Sequence, residues 1–242
     1  MCVIIVLFVI IIVIISFLYL LIFPVHKFLI GACANYNVPI IPMTEFPEHT
    51  TLKDNWRRIA HEAYSAAYHA KDASDVSKTA FGNLNKEKKW SLFMLTFYGE
   101  NNEENMKLCP ITTELIKSIP RIKLAMFSIL EPNMRIPIHR GIFKGCMRYH
   151  LALQVPRDRD NCFINIGSQQ YNWELGEDVL FDDTYDHFVV NNTNERRIVL
   201  FLDVERDIKG LVGKLNHAII ESPLPKWYFN LNSKNEKAQE TG

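Results

Sequence analysis

Eight histidines occur in the chain, and three of them, His139, His150 and His187, lie in its C-terminal half among short apolar runs. His139 and His187 are far apart in sequence, yet each adjoins a predicted strand. Imidazole is the commonest metal-ligating side chain, so this separation suits a metal site at the mouth of a β-structure. A lone histidine at a strand end is more often structural or solvated, and the metal interpretation therefore depends on what surrounds the pair.

A second feature is the pair Arg148 and His150, two residues apart in one predicted strand. Side chains at this spacing point to the same face of a strand, whereas Tyr149 and Leu151 point to the other. A cation and an imidazole on an inner face are costly without an anionic partner. A small dicarboxylate ligand would supply that partner.

A third feature is the acidic segment Asp182–Asp186, which lies directly before His187. The residues Asn191–Asn194 are typical of a turn, and a reversal there would bring Arg197 back beside His187 on an adjacent strand. A metal ligand and a carboxylate-binding arginine would then lie side by side. The alternative is an acidic loop followed by a surface arginine.

The elements that must position these residues are mainly strands. Upstream, the pattern predicts a helix over Thr51–Ala70, a strand over Trp90–Tyr98 and a short helix over Pro110–Ile119. Several short strands with regular turns favour a double-sheet jelly roll. The fold class expected is mainly β with flanking helices, a cupin-like double-stranded β-helix preceded by one N-terminal transmembrane helix. The predicted strands of the β region are Leu124–Leu130, Arg148–Val155, Cys162–Ile166, Asp178–Phe181, His187–Val190 and Arg197–Val204.

The first residues of the chain predict a membrane anchor. No charged residue occurs from Val3 to Phe23, and about 20 apolar residues suffice to cross a bilayer. A cleaved signal peptide would need a basic start and a shorter apolar stretch. Because Lys27 follows the span, the positive-inside tendency places the remaining chain in the cytosol, as a single-pass membrane protein. Asn191–Thr193 matches the acceptor pattern for N-glycosylation. A glycan there would obstruct the predicted site, which agrees with a cytosolic domain, where this modification does not occur.

The sequence divides into an anchor (1–25), a proline-containing linker (26–45), one catalytic domain (46–225) and a polar tail (226–242). Lysine plus arginine equal aspartate plus glutamate, at 27 each, which gives no reason to expect nucleic acid as a partner. The five cysteines include no CxxC pair, which disfavours a disulfide framework or a structural zinc site.

Six segments of this chain carry a resemblance to a known family. They are Phe46–Glu48, Asp54–Trp56, Cys109–Thr112, Ile136–Pro156, Trp173–His187 and Asn191–Arg206. These segments resemble the aspartyl/asparaginyl β-hydroxylases, a family of Fe(II)- and 2-oxoglutarate-dependent dioxygenases, and the resemblance extends over about residues 46–207. Within the family, the layout is most similar to the bacterial lipid A 2-hydroxylases, which place one N-terminal span before such a domain.

The resemblance implies that His139 and His187 bind Fe(II) and that Asp183 is an acid that orients a metal-bound water or imidazole. One position departs from the commonest pattern. Most oxygenases of this chemistry add a carboxylate to the two histidines, but the residue two after His139 is Gly141, which has no ligating side chain. Some members of the resembled family also lack that acid and are active.

The resemblance also implies a site for the cosubstrate 2-oxoglutarate, with dioxygen as the second cosubstrate. A bidentate pair between Arg197 and the distal carboxylate would suit a guanidinium. The expected reaction is hydroxylation of an unactivated C–H bond in a membrane lipid acyl chain, which an anchored domain meets at high effective concentration. A membrane-associated peptide substrate and a non-catalytic jelly-roll binding protein are the alternatives. The positions that match 2-oxoglutarate-binding residues are Ser128, Arg148, His150 and Arg197.

Overall fold

The computed structural model describes residues 24–73, 84–85, 87–141 and 143–225. The predicted transmembrane run 3–23 and the predicted tail 226–242 lie outside these residues. Within the described ranges, no helix is both long enough and apolar enough to cross a bilayer.

The β region consists of two antiparallel sheets. In the larger sheet the strand order is β1-β10-β7-β12-β5-β3-β2, with β4 paired to β3, and in the smaller sheet it is β6-β11-β8-β9. The described strands are β1 (Ile40–Ile41), β2 (Lys71–Asp72), β3 (Trp90–Phe97), β4 (Glu100–Asn101), β5 (Ile122–Leu130), β6 (Met134–His139), β7 (Cys146–Gln154), β8 (Cys162–Ile166), β9 (Gln169–Asn172), β10 (Asp178–Phe181), β11 (His187–Asn191) and β12 (Arg197–Glu205).

From β5 onward the chain alternates between the two sheets, except at the hairpin between β8 and β9. This winding is that of a jelly roll, so the predicted β fold is confirmed. Strands β8 and β10 have the predicted bounds, and the other five predicted strands differ by only one or two residues at their ends. No bounds were predicted for strand β6, which ends at His139, because Pro137 interrupts its alternation.

Helices cover the outer face of the larger sheet. They are His49–Asp54, Trp56–Ala66, Glu103–Leu108 and Pro110–Lys117. The helix Gly210–Glu221 instead buries Ile219 and Ile220 against the cluster between the two sheets. The helix Trp56–Ala66 buries Ile59, Ala60, Ala63 and Ala66 at helical spacing. Its buried Glu62 accepts hydrogen bonds from the backbone amides of Ile111 and Thr112, each at 2.8 Å. One carboxylate thereby caps the helix Pro110–Lys117 and joins it to the helix Trp56–Ala66.

Residues 26–45 differ from the predicted linker. Residues 24–33 are helical, Ile30 is fully buried, and Ile40 pairs with Phe181. The ring of His26 donates through Nε2 to the Asn216 side-chain oxygen at 2.9 Å. Local composition could not predict this order, because it comes from contacts with distant parts of the chain.

The predicted reversal at Asn191–Asn194 is wrong. Strand β11 pairs with β6 and β8, whereas β12 pairs with β5 and β7, so these residues cross from one sheet to the other. Asn191 is fully buried, and its amide donates to the carbonyl oxygens of Leu130, Glu131 and Glu195. An acceptor buried in this way is not open to glycosylation in the folded protein, and the pattern therefore carries no information on membrane side.

Candidate functional site

The two sheets place six of the seven predicted site residues around one cavity between them, and Asp183 is not part of its lining. Strand β6 ends at His139 and β11 begins at His187, and the two histidines are partners in the antiparallel register. Their ring centroids are 4.0 Å apart. The larger sheet supplies the residues predicted to bind 2-oxoglutarate, which are Ser128, Arg148, His150 and Arg197. These four residues and the two histidines all line the cavity.

Each histidine of the pair is held by its own backbone neighbourhood. His139 donates through Nδ1 to the carbonyl oxygen of Pro137 at 2.8 Å, and His187 donates likewise to Tyr185 at 2.9 Å. This fixes the tautomer and leaves both Nε2 lone pairs available for a metal. Burial lowers the pKa of each imidazole to about 4, and for His139 the neighbouring His187 adds to this effect. Both rings are therefore neutral at physiological pH, which is the form that ligates.

Arg148 has carboxylate partners within the protein. Its Nε donates to Asp203 at 2.7 Å, and its Nη2 lies 2.8 Å from an oxygen of Asp183. Burial opposes the charge, but Asp203 and Asp183 raise the pKa of Arg148 above its ordinary value. The argument that Arg148 must await an anionic ligand is therefore wrong, because strand β12 and the loop before β11 supply the anions.

Asp183 occupies the space that Gly141 leaves. The backbone amide of Gly141 donates to the Asp183 carbonyl at 2.7 Å, and a Cβ at position 141 would lie 2.1 Å from an Asp183 side-chain oxygen. Burial raises the pKa of the Asp183 carboxyl to about 6, although Arg148 acts in the opposite direction. The missing acid at position 141 is thus matched by an acid from the facing loop, close to His139.

Arg197 is the opposite case. It is 1% exposed, and its Nη1 reaches only the carbonyl and hydroxyl oxygens of Ser128, at 3.3 and 3.4 Å. Its Nε has no hydrogen-bond partner among the described residues, and its guanidinium stacks over Trp173 at 4.6 Å. Burial lowers the pKa of Arg197 to about 10. A buried cation without an acid costs several kcal/mol, on the order of the effective penalty for a buried ion.

His150 lies beside Arg197 and is also unsatisfied. Within the described part of the chain neither of its ring nitrogens finds a hydrogen-bond partner. Burial, together with the charges of Arg197 and Arg148, lowers its pKa well below the ordinary value. Donors that face a cavity without partners fit a ligand that carries carboxylates.

Several residues of the site were not predicted. Asp203 neutralises Arg148, Trp90 donates through Nε1 to the Ser128 hydroxyl at 2.9 Å, and Trp173 stacks on Arg197. For Asp203 a signal was available, because it shares strand face with Arg197 in an otherwise apolar run. The tryptophans gave no such signal, since aromatic residues in strands are usually part of the core.

The fold and these side chains define a jelly-roll protein with a pair of neutral histidines at its mouth and a buried arginine without an acid partner among the described residues in its interior. Residues 53–207 match the family described as Aspartyl/Asparaginyl beta-hydroxylase. The chain belongs to this family, which confirms the resemblance and supports an enzyme of the hydroxylase class.

Two relatives illustrate the range of the family. The ornithine lipid ester-linked acyl 2-hydroxylase of Rhizobium tropici is 32% identical over 187 residues, which are 76% of this chain and 66% of the relative. The aspartyl/asparaginyl beta-hydroxylase of Homo sapiens is 28% identical over 163 residues, 64% of this chain and 20% of the human protein. The chain thus spans just under two thirds of the first relative and about one fifth of the second.

Among solved structures, cupin domains overlap with part of the chain. The cupin domain of Cnp3 from Schizosaccharomyces pombe covers 48% of this chain and 65% of its own, with a TM-score of 0.33 and 8% identity. A cupin domain of a regulator from Enterobacter cloacae gives 0.34 and 9%, over 48% of this chain and 96% of its own. Likeness at this level carries no argument about function.

Proposed function

We propose that the protein is an Fe(II)- and 2-oxoglutarate-dependent dioxygenase that hydroxylates an acyl chain of a membrane lipid. The observation that carries the proposal is the buried, acid-free Arg197, which lines the same cavity as two neutral histidines with fixed tautomers. A metal alone would not give Arg197 a negatively charged partner, and an anion alone would not explain the two free Nε2 atoms of the histidine pair. A chelating dicarboxylate beside a dication satisfies both.

In this proposal His139 and His187 hold Fe(II) through their free Nε2 atoms. The bound metal would supply activation of dioxygen, with 2-oxoglutarate as the electron donor. The chain supplies position: Arg197 and the Ser128 hydroxyl receive the distal carboxylate, and the unpartnered His150 donates to the end nearer the metal. Because all of these groups lie on strands, their positions are set before any ligand arrives.

Asp183 has a separate role in the proposal. Its carboxylate is held by Arg148, lies over Gly141 and interacts electrostatically with His139. In the proposal it is not itself a metal ligand. An acid placed there accepts a hydrogen bond from water on the metal or from a ligand. The two protein ligands are then both neutral, and the cosubstrate provides the negative charge that a dication needs.

The lipid substrate is supported by the rhizobial relative, whose name gives an acyl chain as its substrate and which is 32% identical over 76% of this chain. The uncharged N-terminal run 3–23 agrees with an enzyme anchored beside its lipid substrate, and Lys27 after the run favours the cytosolic side. A peptide substrate is the second candidate, since the human relative is also similar, over 64% of the chain.

An anaerobic titration tests the cofactor assignment. Fe(II) affinity of the full chain is measured with and without 2-oxoglutarate, and 2-oxoglutarate affinity with and without Fe(II). With two neutral ligands, iron alone should bind modestly, and each ligand should tighten the other by the same factor because coupling is reciprocal. Tight iron binding that ignores 2-oxoglutarate would contradict the proposal. Succinate release that rises on addition of lipid vesicles, and not of peptides, would support the lipid substrate.

A further inference from the structure

A broad groove runs along the surface next to the metal-binding end of the jelly roll. Its volume is about 860 Å³, comparable to sites that hold organic ligands, which are roughly 300–1,000 Å³. Most of its lining comes from the helical segment 24–33, the loop after β6 and the loop before β11, and Asn37 and Gly167 complete it. None of the cavity residues discussed above belongs to this lining.

One wall of the groove is mostly apolar. It is formed by one side of the helical segment, where Phe28 is 74% exposed and Lys27 adds a cation. Single exposed apolar side chains are ordinary, but here they line one side of one groove, which marks a binding surface. The apolar residues of this wall are Pro24, Phe28, Gly31 and Ala32.

The opposite part of the groove is charged. Arg140 donates through Nη2 to Asp186 Oδ2 at 2.6 Å and through Nε to the other oxygen of the same carboxylate. Arg140 directly follows His139, and Asp186 directly precedes His187. This ion pair therefore lies where the groove meets the proposed metal ligands.

The apolar wall is fixed to the domain. The side chain of Asn216 accepts from His26 at 2.9 Å and donates to the Gly145 carbonyl at 3.1 Å. The His26 ring stacks on Phe143, with centroids 4.8 Å apart and an angle of 7° between the planes. A wall held by buried contacts of this kind forms a preorganised site.

We propose that this groove binds the acyl chain of a bilayer lipid, with the tail along the apolar wall and the carbonyl end at the Arg140–Asp186 pair. The assignment rests on the proposed hydroxylase function. The helical wall begins at Pro24, directly after the uncharged run Val3–Phe23, so the expected bilayer lies at this end of the domain. A chain that enters from there presents its tail to Phe28 and its polar end to the charges. The carbons nearest the carbonyl are then the ones closest to the metal ligands.

Photochemical cross-linking tests the groove. The full-length chain is placed in phosphatidylcholine vesicles whose lipid carries a diazirine on one acyl chain, and labelled peptides are mapped by mass spectrometry. We expect labels at Phe28 and Tyr185. Ala32→Trp fills the groove and should reduce this labelling by roughly tenfold, the equivalent of about 1.4 kcal/mol. Cys33→Trp is the matched control, because Cys33 is the exposed next residue and does not line the groove.

Three outcomes distinguish the possibilities. Labelling that Ala32→Trp leaves unchanged would overturn the groove assignment. Labelling by a free fatty acid carrying the same diazirine, with none from the phospholipid, would overturn the bilayer-lipid source. If Ala32→Trp instead abolished hydroxylation of a peptide and left lipid labelling intact, the groove would be a peptide site.

The same variants separate this inference from the function on which it rests. Ala32 is outside the cavity, so Ala32→Trp should bind Fe(II) and 2-oxoglutarate as the wild type does. Failure of the wild type to bind 2-oxoglutarate would contradict the proposed function. Normal 2-oxoglutarate binding in both proteins, with equal lipid labelling, would remove only the groove.

Discussion

The cavity contains two buried arginines with opposite surroundings. Arg148 is neutralised by Asp203 and Asp183, whereas Arg197 has a hydroxyl, a carbonyl and an aromatic face but no acid within the described residues. The two side chains lie on neighbouring strands of one sheet and are comparably buried. The difference indicates that Arg148 organises the protein, while Arg197 is arranged for a charge that the protein does not supply.

Removal of the neutralised arginine should have the largest effect. Arg148→Met leaves two buried acids without their cation, and breaking such a pair costs about 3–5 kcal/mol. We expect that loss in the free energy of unfolding, measured by urea denaturation of the metal-free protein at neutral pH. The half-exposed Arg196, which pairs with Glu131 at the surface, provides the control, and Arg196→Met should cost about 0–1 kcal/mol. Equal losses in the two variants would show that the buried pairs contribute nothing special.

Removal of the unneutralised arginine should affect binding and not folding. Arg197→Met takes away charge-assisted hydrogen bonds of about 1.5–3 kcal/mol. We therefore expect the affinity for 2-oxoglutarate to fall roughly tenfold to a hundredfold. The same change should leave the unfolding free energy of the ligand-free protein unchanged or higher, since a desolvated charge disappears. Isothermal titration of 2-oxoglutarate in the presence of Mn(II), with Arg196→Met as control, measures the first part. Unaltered affinity would exclude Arg197 from the site.

The contact between Gly141 and Asp183 gives a third comparison. From sequence alone, Gly141→Asp would add the carboxylate that most oxygenases of this chemistry place beside the two histidines, and would increase the affinity for Fe(II). The structure leaves no room for it, because even the Cβ of Gly141→Ala would collide with Asp183. Overpacking of this kind costs about 1–3 kcal/mol.

A double-mutant cycle on unfolding free energy measures this effect. Gly141→Ala should cost less in the Asp183→Gly background, where the colliding carboxylate is absent. If the cost were the same in both backgrounds, the collision would not be its cause. Fe(II) affinity of Gly141→Asp should rise only when Asp183 has also been replaced.

The smallest effect concerns pH. His139 and His187 have pKa values of about 4 in the folded protein, against 6.5 when unfolded, so the unfolded state binds more protons between these values and stability rises with pH. Asp183, raised to about 6, acts in the opposite direction, but one site does not offset two. Each net proton contributes about 1.4 kcal/mol per pH unit. His139→Gln should reduce the slope of unfolding free energy between pH 4 and 6 in the metal-free protein, and an unchanged slope would contradict the assignment.

The sequence predicts the individual strands well, because alternation and turn residues are local properties. It does not predict which sheet a strand enters, and for that reason the reversal at Asn191–Asn194 was wrong even though Arg197 does reach the cavity. The partners of Arg148 also escaped prediction, since Asp203 joins it only across paired strands. The collision of Gly141 with Asp183 depends on two loops whose approach no local pattern records.

The attachment of the helical segment 24–33 also has a consequence for the order of assembly. His26 and Asn216 are 190 residues apart in the chain, so their hydrogen bond is among the last that a ribosome-bound chain can make. Closing so long a loop is slow relative to local contacts. During synthesis the jelly roll can therefore form before its N-terminal wall docks, and the groove is completed only after the helix Gly210–Glu221 has left the ribosome.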